Sequence, residues 1–87
     1  VREIRDTVST LRLDAVAASG FSMSRGKAQG LISSGRVQLN HRETLKSDTP
    51  VAQGDVISAR GLGKFEVAEV GGLSKKGRTA LLLRRYL

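Results

Sequence analysis

The sequence predicts an α+β fold, with two short N-terminal helices followed by a small, mostly antiparallel sheet. Three observations carry that expectation. Apolar residues recur at helical spacing over residues 13–17 and again over 28–32. From Gly35 onward the period switches to two, and short apolar runs alternate with Gly, Pro, Asn and Asp. The chain has 87 residues, enough for one small core. Helices placed before a run of strands, rather than between them, indicate α+β.

Residues 1–8 set Ile4 and Val8 among charged neighbours, a weak strand or linker pattern. Leu13, Val16 and Ala17 then form a helical stripe. Asp14 sits near the helix start, where the dipole favours an acid, and reads as a capping residue. Ser19-Gly20 is expected to close this helix, with Gly20 in the left-handed position. Ser24 is an N-cap for the second helix, Ala28, Leu31 and Ile32 form its buried stripe, and Ser34-Gly35 stops it. The third helical position is Lys27 rather than Glu or Gln, so the capping box is absent. A cation in the first turn opposes the dipole by roughly a few tenths of a kcal/mol, a conflict that makes sense if Lys27 has a use.

Val37 and Leu39 alternate with Gln38, and Asn40-His41 interrupts the pattern before residues 42–45. This predicts a tight hairpin, with Asn40 suited to positive φ and His41 where glycine would be easier. Pro50 and the Gln53-Gly54-Asp55 turn lead into a strand over 56–59. Residues 64–70 alternate imperfectly, and a Gly71-Gly72 loop precedes a last strand over 79–87. Leu13, Val16, Leu31, Ile32, Val37, Val56 and Ile57 are assigned to the core, and Phe21 to core or staple. The chain begins with Val1 rather than Met and is expected to be a piece of a longer protein.

Function is bounded first by charge. Fifteen Lys and Arg face eight Asp and Glu, a net charge of +7. Residues 21–42 carry Arg25, Lys27, Arg36 and Arg42 and no acid; residues 71–87 carry Lys75, Lys76, Arg78, Arg84 and Arg85 and no acid. Such segmental charge points to an anionic partner. There is no cysteine and a single histidine, and the carboxylates stand singly, so no metal site, cofactor or catalytic constellation is expected. No apolar run is long enough to span a bilayer, and no amphipathic basic helix marks a membrane surface. On a helical wheel, Gly26, Gln29, Gly30, Ser33 and Ser34 face away from the apolar stripe, flanked by Arg25 and Lys27. Two interior glycines cost about 1 kcal/mol each relative to Ala; either RNA or protein packs closely there, or the tertiary packing simply tolerates them.

Three blocks are recognisable in order: Arg12-Leu13-Asp14; then Ser24-Arg25-x-Lys27-Ala28-Gln29-x-Leu31-Ile32-x-x-Gly35-Arg36-Val37-x-Leu39-Asn40; then Gly54-Asp55-Val56-Ile57. Together they resemble the S-four RNA-binding domain, named after the fourth protein of the small ribosomal subunit. Gly26, Gly30 and His41 depart from that pattern. Gly61-x-Gly63-Lys64-Phe65, Glu69-Val70-Gly71-Gly72 and Lys75-Lys76-Gly77-Arg78 further resemble the C-terminal domain of a bacterial group called YlmH-like. Cyanobacterial and plastid relatives of that group are labelled photosystem II S-four domain proteins.

The resemblance implies a division into residues 1–10 as strand or linker, 11–60 as the S-four-like core, and 61–87 as its β extension. It implies a non-catalytic module whose helix–hairpin surface contacts structured RNA. Arg12, Ser24, Arg25, Lys27, Gln29, Arg36, Asn40, His41, Arg42 and Lys46 would line that surface, with Lys75, Lys76 and Arg78 as a secondary basic patch. The implied partners are rRNA and tRNA on the large ribosomal subunit, in translation quality control. The implied location is the bacterial cytoplasm or plastid stroma. Two other readings stay open: an RNA-targeting appendage of a pseudouridine synthase or methyltransferase, and a protein-docking module.

Overall fold

β1 (Arg2–Val8) opens the chain, ahead of α1 (Leu13–Phe21) and α2 (Arg25–Ser33). β2 (Val37–Leu39), β3 (Arg42–Glu43), β4 (Val56–Ala59), β5 (Gly63–Leu73) and β6 (Thr79–Tyr86) follow. These elements come from a computed structural model that describes residues 1–73 and 76–86. The strands form one sheet in the order β1-β6-β5-β4-β2-β3, with neighbours antiparallel. The α+β class is as expected, with one correction: the helices come after the first strand. β1 pairs with β6 at the far end of the chain, placing Ile4 opposite Leu83. Local pattern cannot reveal such a partner.

The helices cover one face of the sheet. Leu39, Ile57 and Phe65 are register partners across β2, β4 and β5, and Val67 faces Leu83. Leu13, Val16, Ala17, Phe21, Ala28 and Ile32 from the helices join Ile57, Phe65, Val67 and Leu83 in a single buried cluster. The other face carries Gln38, Ser58, Lys64 and Tyr86 in one row. Alternation along β4 turns Val56 away from the core side that Ile57 occupies, so Val56 is half-buried rather than core; Leu31 is half-buried as well.

Two boundaries differ from the sequence expectation. α1 continues through Gly20 to Phe21, and the left-handed residue is Ser22, at φ 55°. Gly20 is needed for approach: a Cβ there would overlap the Phe65 ring. That closeness lets Phe21 meet Phe65 edge-on, with ring centroids 4.9 Å apart and an interplanar angle of 72°. Gly71-Gly72 is not a loop but part of β5. The β5–β6 register slips between Val67 and Glu69 and again between Val70 and Leu73, so each slip leaves an extra residue on β5. A Cβ on Gly71 would sit 3.2 Å from that of Ala80, so glycine permits the close strand contact.

The loop after β3 completes α1. Leu13 N–H donates to Thr49 O (2.9 Å) and Asp14 N–H to Ser47 O (3.1 Å), while Val51 N–H donates to Leu11 O (2.9 Å). The first two satisfy N–H groups that a helix start otherwise leaves open.

Candidate nucleic-acid interface

Ser24 caps α2 as its type predicts: its Oγ accepts from Lys27 N–H at 3.1 Å. Gly26 and Gly30 have nothing within 4 Å of where a Cβ would stand, so the outward side of α2 is uncovered.

Asp14 does more than cap. Oδ1 accepts from Ala15 N–H at 2.7 Å. Oδ2 gathers Gln29 Nε2 at 2.9 Å, Arg12 Nη2 at 3.1 Å and Arg25 Nε at 3.1 Å. The residue is 0% exposed, whereas both arginine side chains remain partly exposed. Burial works against the charged carboxylate. The hydrogen bonds from Gln29, Arg25 and the Ala15 N–H, with the charge of Arg25, outweigh it and hold the carboxyl below its ordinary value. Three expected surface residues are thus collected by a residue that spacing marked only as a cap. No local signal foretold this, since Lys27, Arg36 and Arg42 share the same acid-free segment and meet no carboxylate among the described residues.

Asn40 and His41 take φ values of 53° and 68°, the two positive values a type I′ turn demands. The Asn40 side-chain amide is bonded to residues 15 and 16 positions further along the chain. Its Oδ1 accepts from Val56 N–H (2.9 Å) and its Nδ2 donates to Asp55 Oδ1 (3.0 Å), while Asp55 Oδ2 accepts from Ala52 N–H (2.8 Å). Asn40 therefore fastens the hairpin to the start of β4.

Lys27, Arg36, His41, Arg42 and Lys46 are exposed. Among the described residues their side chains form no hydrogen bond or ion pair. They follow one another from the first turn of α2 to just beyond β3. The ten residues do not share one cavity. Arg36 lines a wide groove of about 840 Å³ with Ser34, Gln38, Glu43, Ser58 and Arg60. Arg60 was not singled out by motif. Arg25 opens instead on a second groove that also contains Arg78.

Of the secondary patch, Lys75 lies outside the described residues, and Lys76 is exposed. Arg78 donates from Nε to Thr7 Oγ1 (2.9 Å) and from Nη2 to Thr7 O (2.7 Å). Among the described residues no three His, Cys, Asp or Glu cluster as a metal site would require. No described helix is long and apolar enough to cross a membrane.

A helix–helix–hairpin unit, with its cations on α2 and the hairpin, matches a known family. The S4 domain family matches residues 11–57, over half of the chain, and the chain belongs to that family. It is also 42% identical over 84 residues to "Ribosome-associated protein quality control protein P2" of Bacillus subtilis (strain 168). That alignment covers 95% of this chain and 33% of the relative, so the chain spans about a third of the relative's length.

Proposed function

We propose that this chain is a non-catalytic RNA-binding module of a larger, ribosome-associated protein of the cytoplasm. It recognises structured RNA, rRNA and tRNA, on the large subunit. The observation that carries this reading is the run of uncommitted cations, Lys27, Arg36, Arg42 and Lys46, along α2 and the hairpin. Phosphate contacts need cations that the fold has not already neutralised. Asp14 orients Arg12, Arg25 and Gln29. Phe21 and Phe65 are buried and Tyr86 alone of the three aromatics is exposed, so shape and backbone recognition outweighs base stacking. Membership of the S4 family and the name of the Bacillus relative support the ribosomal setting.

The test is binding of the full-length protein to large-subunit rRNA fragments and to tRNA over a salt series. Affinity falls steeply with salt, and the double variant Lys27→Ala, Arg42→Ala lowers the log–log slope by about two. An unchanged slope refutes the surface. Crosslinking in cells followed by sequencing returns large-subunit rRNA and tRNA; an even spread over cellular RNA refutes the ribosomal assignment.

A further inference from the structure

We infer that RNA held at the hairpin passes round the β3 edge of the sheet, and that the groove beside the C-terminal end of α2 takes a stretch of its ribose–phosphate backbone. Arg36 and Arg60 meet phosphate oxygens there, and Glu43 accepts from a ribose 2′-hydroxyl. The inference rests on the RNA-binding reading above and extends it to the face of the sheet that the helices leave open. Alternation along β2 and β4 decides where the side chains go. Val37, Ile57 and Ala59 belong to the buried cluster under the helices, so Arg36, Gln38, Ser58 and Arg60 turn to the opposite face. Arg60 N–H donates to Arg36 O at 3.3 Å, which sets the two arginines side by side at the ends of their strands.

Both arginines are exposed and line the same groove of about 840 Å³. Among the described residues neither guanidinium has a hydrogen bond or an ion pair, so their donors are left for a ligand. Glu43 faces Gln38 across the hairpin, and its carboxylate lies 3.2 Å from where a Cβ on Gly35 would stand. It forms no ion pair among the described residues, so it does not neutralise the arginines. A free acid beside two cations suits a polyanion only where it meets a donor, and the 2′-hydroxyl is the donor that an RNA backbone carries. Gln38 and Ser58 also line the groove, and side chains of their kind bond phosphate and sugar. No aromatic lines it, which fits backbone rather than a stacked base. The route is short. β3 is the edge strand and has two residues, Arg42 opposite Leu39 on the helix side and Glu43 on the other. RNA in contact with Arg42 reaches the groove by crossing that one strand.

The experiment titrates the full-length protein against a fluorescein-labelled fragment of large-subunit rRNA over a salt series, read by fluorescence anisotropy. Arg60→Ala and, separately, Arg36→Ala each lower the log–log slope by about one, while circular dichroism shows parental melting. Arg5→Ala removes an exposed cation from β1, at the other edge of the sheet, and leaves the slope as in the parent. The same fragment with 2′-O-methyl riboses binds the parent about fivefold more weakly, the order of one lost hydrogen bond. Glu43→Ala brings that gap to within about twofold. An unchanged slope for Arg60→Ala overturns the inference, as does an equal fall for Arg5→Ala, which is net charge acting without a site. A gap that survives Glu43→Ala overturns the ribose contact. Salt-insensitive binding of the parent refutes the RNA-binding reading itself.

Discussion

Residues 21–42 and 71–87 are alike in sequence, both basic and both free of acids, but the fold uses their cations differently. In the first segment Lys27, Arg36 and Arg42 are exposed, their side chains bonded to no described residue, and Arg25 is held by Asp14. In the second, Arg78 is bound to Thr7 and Arg84 pairs with Glu3 at 3.6 Å. Arg85 donates to Leu62 O at 3.1 Å and lies 5.7 Å from the Phe21 ring centre. For the cations within strands the cause is strand position. β6, with Arg84 and Arg85, lies between β1 and β5, whereas β3, with Arg42, is the edge strand. An acid-free stretch of sequence is therefore not an acid-free surface, because antiparallel pairing sets Glu3 opposite Arg84.

The comparison breaks or sharpens under four perturbations. Replacing Lys27, Arg36, Arg42 and Lys46 together by Ala has the largest effect: RNA affinity falls about a hundredfold at low salt, roughly 3 kcal/mol, and the salt slope drops by about four. Thermal melting of the same variant stays within a few degrees of the parent, since these side chains support nothing inside the fold. Asp14→Ala comes next, with about 2 kcal/mol lost in urea unfolding at neutral pH, because several partly buried donors lose their buried acceptor. Asp14 has a folded-state pKa below its unfolded value of 3.8, so its contribution is present above that value and lost as pH falls through the folded one. The stability gap between parent and Asp14→Ala therefore closes below about pH 4.

Arg85→Ala costs about 1 kcal/mol, through the lost bond to Leu62 O and the lost packing on Phe21, and leaves RNA affinity within about twofold. If it weakened RNA binding as much as the hairpin cations do, the contrast between the segments would fail. Arg84→Ala has the smallest effect, under about 0.5 kcal/mol and fading with added salt, as expected of an exposed pair. A loss well above that at high salt would show that the strand-interior cations are more deeply committed than their geometry implies.

Much of the first helix–hairpin unit was legible because its determinants are local. Ser24 caps by its own hydroxyl, Ser34-Gly35 stops α2, and Asn40-His41 turns with two positive φ values. Where the outcome depended on distant partners, the reading slipped. Gly20 looked like a helix end, but the glycine answers to Phe65; Gly71-Gly72 looked like a loop, but it answers to β6. Asp14 looked like a cap because the side chains that meet it come from the other helix as well as its own end.

By itself the sequence determined the α+β class, the two helices, the type I′ hairpin, the basic character and the S4 family motif. All of these depend on residue type, on periods of two or 3.6, and on near neighbours. Tertiary structure alone decided that β1 closes the sheet against β6, that a buried carboxylate holds two arginines and a glutamine, and which cations stay free. Those outcomes turn on which side chains meet across the sheet and between the helices. Burial and pairing then set the energy of each charge, and neither is written in the order of residues along the chain.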